Sequence, residues 1–328
     1  MGESDEQANL TRFEPPLPED LTEELIAFWK GTFGTPYEGF RAALQGAERA
    51  QNRDVLYLMQ RGERLGGTCR LTVSRANPRL GGVGEVATSL EFRRQGIAGA
   101  LCARALEDFG AHGGQALFLG TSNPDAARVY HRLGWRKLPG ANVMAFIAGG
   151  DSPEAFLVDL FREGGAAAVG PGTAVDRIPM IPLLISPHDW QALDANAGMF
   201  STRYVVQISC MSLYTRYEAL TREGRGAWFS ARTDRGLVVG LSSACLDGSG
   251  GCRVDGFTHP NDPDVWKDLI QAAMRWGTAR GAPSCRARVS VEDEDKRTLF
   301  EALGFQEVGT GEAFDLEGKQ VASVLLER

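Results

Sequence analysis

Apolar residues along the first half of the chain switch repeatedly between two periods. Residues 20–30 (Asp-Leu-Thr-Glu-Glu-Leu-Ile-Ala-Phe-Trp-Lys) place them on one side of a helix with an acidic first turn. Asp54-Val-Leu-Tyr-Leu-Met reads as a strand, Arg61-Gly-Glu-Arg as a turn, and Leu65 to Val73 as the answering strand. A loop with Asn77-Pro78 and Gly81-Gly82 leads into a strand over Val83 to Thr88. Residues 96–110 return to helical spacing, with Ile97, Leu101, Cys102, Ala105 and Phe109 on one face. Ala116 to Leu119 is a short buried strand. Asn123 suits a helix cap and Pro124 the first helical position. That helix ends at Leu133-Gly134, Trp135 starts a strand, and Ala141 to Ile147 closes the domain. Strands and helices interleave, so the fold class is α/β.

Residues 149–176 carry Gly149-Gly150, Gly164-Gly165 and Gly170-Pro171-Gly172 and read as a linker with one helix, Pro153 to Phe161. The rest looks like a copy of the first part. An offset of 170 residues lays Leu133-Gly134-Trp135 on Leu303-Gly304-Phe305, Thr88 on Thr258 and Glu85 on Asp255. An ordered series of matches at one offset is the mark of duplication. The expected organisation is a disordered tail over 1–11, a first domain over 12–148, the linker, and a second domain over 177–328.

Composition narrows the class. The chain has 328 residues, of which 43% are hydrophobic and 23% charged, as in soluble globular proteins. No window approaches the ~18 apolar residues that span a bilayer, and the acidic, polar start is not a secretory signal. Both points favour the cytoplasm. None of the six cysteines forms a CxxC pair or stands at zinc-ligand spacing with a histidine, so reduced thiols and no metal are expected. Residues 1–150 hold 17 basic and 17 acidic side chains, so the whole net charge of −7 falls in the remainder. An acidic half repels nucleic acid and is compatible with a cationic amine; solvated surface charge explains it as well.

One segment carries chemistry. A strand runs into Arg93-Arg94-Gln95-Gly96-Ile97-Ala98-Gly99 and a helix follows. Small residues let a ligand approach the backbone, and the free amides and dipole of the first helical turn favour an anion. The arginines add positive charge, and a pyrophosphate fits. A plain glycine turn capping a helix is the bland alternative. A Rossmann loop needs Gly-x-Gly-x-x-Gly, which is missing.

Arg93-x-x-Gly96-x-Ala98 resembles the signature of the GNAT superfamily of acetyltransferases. Gly84 to Arg93 is similar to the family's preceding strand and turn. Asn123-x-x-Ala126-Ala127-x-x-Tyr130-x-x-Leu133-Gly134-Trp135 is similar to its second coenzyme motif. The resemblance covers residues 10–148 clearly and 177–328 weakly. It implies the α+β variant with a mixed sheet: two tandem domains, each a mostly antiparallel sheet flanked by helices, with acetyl-CoA as co-substrate. Backbone groups of Val86, Ala87 and Thr88 would meet the pantetheine and the thioester carbonyl. Arg93 and Arg94, Gln95, Gly96, Ile97, Ala98 and Gly99 would hold the pyrophosphate, and Ser122 and Asn123 the other side of the pantetheine. Tyr130 matches the family's acid. Glu85 is the candidate base, although side chains alternate along a strand and its direction stays open. Trp29, Phe33 and Tyr37 fall at the family's acceptor pocket, with core packing the preferred reading.

At the same offset the cradle becomes Pro263, Asp264, Trp266 and Asp268, and Tyr130 becomes Phe300. Acids repel pyrophosphate and a phenylalanine donates no proton. The second domain is therefore expected to be degenerate, packing as an internal pseudo-dimer and shaping the acceptor pocket, in a monomer or a homodimer. The expected activity is N-acetylation of a primary amine of a small molecule by direct attack in a ternary complex. Acetylation of a protein lysine or N-terminus, or a non-catalytic acyl-CoA-binding sensor or assembly role, are the alternatives.

Overall fold

The hairpin around Arg61-Gly-Glu-Arg sits at the heart of the first sheet. This computed structural model describes residues 8–186, 188–201, 210–222, 224–248 and 250–328. Its first part runs β1 (Ala8–Phe13), α1 (Glu19–Phe33), α2 (Arg41–Leu44), β2 (Asn52–Arg61), β3 (Arg64–Ser74), β4 (Leu80–Thr88), α3 (Ile97–Ala111), β5 (Ala116–Gly120), α4 (Pro124–Arg132), β6 (Arg136–Lys137) and β7 (Val143–Ile147). The strand order is β1-β2-β3-β4-β5-β7-β6, and only β4–β5 is parallel.

Strand alternation gives the two faces separate cores. Val55, Tyr57, Cys69, Leu71 and Val83 pack with Ile97, Leu101, Phe109 and Tyr130 beneath α3 and α4. Leu56, Leu58 and Ala87 pack with Leu25, Ile26 and Trp29 of α1. Gly67 is required where α3 crosses β3. A Cβ there would stand 2.6 Å from Ile97 Cγ2 and 2.9 Å from the Ala87 carbonyl oxygen. Gly67→Ala is expected to cost about 1–3 kcal/mol by overpacking, read as a lower denaturant midpoint for the first unit.

The second part runs α5 (Pro153–Arg162), β8 (Ala167–Pro171), α6 (Met180–Ile185), β9 (Ala192–Asp194), β10 (Met199–Phe200), α7 (Leu213–Arg222), β11 (Gly226–Thr233), β12 (Val238–Leu246), β13 (Cys252–Thr258), α8 (Asp264–Ala279), β14 (Cys285–Ser290), α9 (Glu294–Ala302), β15 (Gln306–Leu316) and β16 (Lys319–Glu327). Its large sheet has the order β15-β16-β14-β13-β12-β11-β8, antiparallel except for β13–β14. Read from β8, this is the connectivity of the first sheet. Gly240 faces Thr258 as Gly67 faces Thr88. A Cβ on Gly240 would meet Leu269 of α8 at 2.6 Å, as one on Gly67 would meet Ile97. The fold is thus mixed α/β, built on two seven-stranded sheets flanked by helices.

Three expected boundaries move. Residues 8–11 are not tail: Ala8–Phe13 pairs with Leu56–Arg61, because a partner strand supplies the hydrogen bonds that a polar segment lacks alone. Residues 1–7 lie outside the described residues. The linker is shorter than 149–176: Ala167–Pro171 pairs with Phe229–Thr233, after Gly164 and Gly165 turn the chain with φ of 59° and 136°. The second unit accordingly starts before residue 177. Chain contacts group the residues through Lys137 with Val143–Pro153, and Leu138–Asn142 with Glu154–Arg328.

His259 of the second unit stacks on Phe161, with ring centres 4.0 Å apart, and its Nδ1 accepts the Asn261 amide (3.2 Å). Burial pulls its pKa from 6.5 to about 4. Between these values the unfolded chain binds the proton and the folded one does not, so stability present above pH 6.5 is lost as pH falls towards 4. Burial lowers His188 to about 4 too, with the same sign. His259→Phe keeps the stack, and part of the slope of the urea midpoint between pH 6.5 and 4 is expected to disappear.

Candidate functional site

β4 and β5 pair only at their starts, from Leu80↔Ala116 to Gly82↔Phe118. Beyond Gly82, β4 continues along β3 while β5 ends at Gly120. The strands part as a V, and among the described residues one edge of Val83–Thr88 has no strand partner. Within that stretch Thr68 pairs with Ala87 and Arg70 with Gly84, so Cys69 opposes both Glu85 and Val86. This is a β-bulge, a device that re-aims a side chain. Glu85 is left-handed, with φ of 49°. For a residue with a Cβ that costs on the order of 1 kcal/mol. A buried chain holds it there: Trp29 Nε1 donates to Thr68 Oγ1 (3.0 Å), and that hydroxyl donates to the Glu85 carbonyl (2.6 Å).

The bulge turns the Glu85 side chain towards the face that carries α1 and α2. Its Oε2 lies 3.8 Å from Arg70 Nη1. Arg70, itself 1% exposed, binds Asp54 Oδ1 through Nη2 (2.7 Å) and faces the Phe40 ring (5.4 Å). Desolvation alone would lower the Arg70 pKa, but Asp54 and Glu85 outweigh it and raise it. Around this pair stands an aromatic group: Tyr37 lies 5.5 Å from Trp29, 5.6 Å from Phe33 and 5.1 Å from Phe40. Burial, and then the charge of Glu85, push the Tyr37 phenol upward. Trp29 is fully buried, as its core reading requires, whereas Phe33 is exposed. Arg70, Asp54 and Phe40 were not among the site residues expected from sequence. The available signal was a charged residue at 70 within an otherwise apolar and neutral strand.

β4 leads straight into the cradle. Arg94 and Gly96 are both left-handed, with φ of 62° and 80°. Gly96 caps α3 without any side-chain hydrogen bond. Ala100 is the first α3 residue whose amide reaches a carbonyl, that of Gly96 (3.0 Å). The amides of Ile97, Ala98 and Gly99 have no helical acceptor. No atom lies within 4 Å of where a Gly96 Cβ would stand, and only Val129 Cγ1, at 3.8 Å, is near that of Gly99. The floor is open and an anion fits it. Arg94 is exposed, while Arg93 Nε donates back to the Thr88 carbonyl (3.4 Å) and Gln95 Nε2 to that of Glu91 (3.4 Å).

The opposite wall is the loop after β5. Ser122 is exposed there. Asn123 Oδ1 accepts from the amides of Asp125 (2.9 Å) and Ala126 (3.4 Å), so its carbonyl is committed to capping α4. Tyr130 of α4 is 6% exposed and packs on Trp135. Burial first, then Cys102 and Cys69, hold its phenol well above the usual range, so it stays protonated at neutral pH. The six cysteines are free thiols and all are buried. His131 follows Tyr130 on the exposed side of the helix.

The V of the second sheet is built differently. Pairing between β12 and β13 is uninterrupted, so no bulge stands at Asp255, the counterpart of Glu85. Lys296 of α9 reaches Asp255 Oδ1 (2.8 Å) and the carbonyls of Ala192 (2.7 Å) and Leu193 (3.2 Å). Trp266 Nε1 donates to the carbonyl of Gly256 (3.0 Å), the counterpart of Val86. That carbonyl is therefore already hydrogen-bonded within the protein. Phe300 occupies the place of Tyr130 and is fully buried.

Among the described residues no group of histidines, cysteines and carboxylates could hold a metal ion, and no helix is long and apolar enough to cross a membrane. Residues 19–135 match the family model described as the acetyltransferase (GNAT) family. No curated protein matches. Solved structures similar to this chain include three acetyltransferases. A GNAT-family acetyltransferase from Streptococcus pneumoniae is 14% identical, with 49% of this chain and 98% of that one covered and a TM-score of 0.38. The ribosomal-protein-S5-alanine acetyltransferase from Vibrio fischeri is 13% identical, with coverages of 50% and 93% and a TM-score of 0.39. A GNAT-superfamily phosphinothricin acetyltransferase from Sinorhizobium meliloti, in complex with acetyl-CoA, is 18% identical, with coverages of 50% and 88% and a TM-score of 0.37.

Proposed function

We propose that the GNAT acetyltransferase domain over residues 19–135 transfers an acetyl group from acetyl-CoA to a primary amine of a small molecule, and that the second unit is a degenerate copy without coenzyme. The observation that carries this reading is the bulge at Glu85, set where β4 and β5 part and leading directly into the uncapped first turn of α3. Amides of Ile97 to Gly99, with Arg94 beside them, hold the pyrophosphate. The unpaired edge of Val86 to Thr88 faces the pantetheine, and a backbone amide there polarises the thioester carbonyl. Ser122 and the main chain of Asn123 form the far wall.

The amine enters from the α1–α2 face. Its nitrogen attacks the thioester carbon, a C–N bond forms, and the C–S bond breaks. Glu85 takes the proton leaving nitrogen, directly or through water, and Tyr130 donates one to the departing sulfur. Both residues return to their starting state by exchange with solvent, and no covalent intermediate on the protein is required. Tyr37, Phe33 and Phe40 beside a carboxylate suit an ammonium-bearing acceptor. Six buried free thiols suit a reducing compartment, so we place the protein in the cytoplasm.

Thiol release from acetyl-CoA, measured over a panel of small amines and lysine peptides, tests the reading. Turnover with small amines is expected. Turnover confined to peptides would instead favour a protein acetyltransferase. Coenzyme binding without release on any amine would favour a sensor.

A further inference from the structure

None of the six cysteines forms a CxxC pair, yet the register of the second sheet sets two of them side by side. β13 and β14 run parallel and pair only at Cys252↔Cys285 and Arg253↔Arg286. Neighbouring strands lie about 4.7–4.9 Å apart, within the roughly 4.4–6.8 Å between Cα atoms that a disulfide spans. Register partners point to the same face, and both cysteines belong to the core beneath α8. That helix makes room for sulfur at Gly277, where a Cβ would stand 2.6 Å from Cys252 Sγ. The backbone of the pair is fixed. The Cys285 amide donates to the Arg328 carbonyl (2.7 Å), the Arg328 amide to that of Cys285 (2.9 Å), and the Cys252 amide to that of Ser284 (3.1 Å).

The two thiols are not alike. Cys285 keeps 6% of its surface exposed and Cys252 none. The hydrogen bond from Cys252, helped by the charge of Arg328, outweighs burial and brings the Cys285 thiol down from 9.0 to about 7. The same hydrogen bond, and then burial, push the Cys252 thiol up. A thiolate beside a protonated thiol is the arrangement of an attacking sulfur and its resolving partner. The other cysteines differ. Cys69 and Cys102 also interact, but deep beneath α3, where that hydrogen bond and burial hold the Cys69 thiol well above its usual range. Cys245 is the register partner of Arg253, one residue along from Cys252, and so points to the other face of the sheet.

We propose that Cys252 and Cys285 are a redox-active pair, which a peroxide converts to an intrachain disulfide and a small thiol restores. The Cys285 sulfur attacks one peroxide oxygen: an S–O bond forms, the O–O bond breaks, and the departing hydroxide takes a proton to become water. The Cys252 sulfur then attacks that of Cys285. An S–S bond forms, the S–O bond breaks, and the second hydroxide leaves as water with the proton of Cys252. Two thiols lose two electrons in all, and the peroxide gains them. Two equivalents of a small thiol reverse the step and become a disulfide themselves. The bond ties β13 to β14 where only two residue pairs join them. It does not rest on acetyl transfer by the first unit.

The test treats the full, reduced chain with hydrogen peroxide under native conditions, blocks remaining thiols, and digests with trypsin. Tandem mass spectrometry is needed because Cys245 and Cys252 share one tryptic peptide. A Cys252–Cys285 disulfide, reversed by dithiothreitol, is expected to form at least about ten-fold faster than any oxidation of Cys69 or Cys102, as thiolate character and access dictate. Cys252→Ser should stop at a sulfenic acid on Cys285, trapped by dimedone, and Cys285→Ser should leave Cys252 a free thiol. Far-ultraviolet circular dichroism identifies a misfolded variant, and the wild-type digest needs no variant. A wild-type chain that forms no Cys252–Cys285 bond, that forms it no faster than the buried pair is oxidised, or that joins either cysteine to another would overturn the proposal and leave the two as packed core thiols.

Discussion

Tyr130→Phe is expected to lower kcat by about 10²- to 10⁴-fold, the usual worth of one positioned acid, while leaving KM for acetyl-CoA and the melting temperature nearly unchanged. The ring keeps its place against Trp135 in the core beneath α3 and α4. What is lost is the proton. Burial beside Cys102 and Cys69 keeps that proton on the phenol, so wild-type Tyr130 is in the donating form throughout the neutral range. A departing thiolate is a weaker leaving group than a thiol, so the donor matters most at that step. Steady-state kinetics with the best amine of the panel provides the measurement. A variant with wild-type kcat would remove Tyr130 from the reaction and leave it as a packed aromatic.

Lys296→Met is the second large effect, and it is one of stability. Lys296 is 2% exposed and spends all three N–H bonds on Asp255 and two carbonyls of β9. Desolvation would lower its pKa, but Asp255 and Asp293 more than compensate and raise it. Asp194, close by, is already pushed up to about 7 by burial and by the charge of Asp255. Methionine fills nearly the same volume and carries no charge. It strands the carboxylates around it, and removing one partner of a buried pair costs about 3–5 kcal/mol. Denaturant unfolding should show this loss in the second unit. Adding Asp255→Asn should recover part of it, since the amide no longer needs a counter-ion. A Lys296→Met protein as stable as wild type would mean that the lysine is not the keystone of this sheet.

The pattern of apolar positions was enough to find β2 to β5, α3 and α4, because each carries its own period and its own punctuation. Asn123-Pro124 opens α4 as read, with the Asn123 side chain capping it. The 170-residue offset also meets equivalent positions. Gly134 and Gly304 leave their helices with φ of 94° and 86°, and the next residue donates to the carbonyl of Tyr130 and of Phe300 respectively. What stayed hidden depends on contacts far apart in sequence. β1 and β8 are edge strands made by their partners, from segments with a weak signal of their own. The bulge at Glu85 is a register event between two strands. The Asp54–Arg70–Glu85 group joins residues from three strands, so no local spacing announces it. Charge misled in another way: the acids of the second half were read as surface, but Asp194, Asp255 and Asp293 face inward.

One coenzyme site per chain is expected, on α3 of the first unit, because Lys296 and Trp266 occupy the corresponding positions of the second V. Calorimetric titration of the full chain with acetyl-CoA measures this directly when wild type is compared with Gly99→Glu. The room beside Gly99 admits a side chain, and an acid in the first turn favours the helix while repelling a pyrophosphate. One molecule bound per chain, with affinity reduced at least about ten-fold by Gly99→Glu, is the predicted result. Two molecules per chain, or one whose binding survives Gly99→Glu, would contradict it.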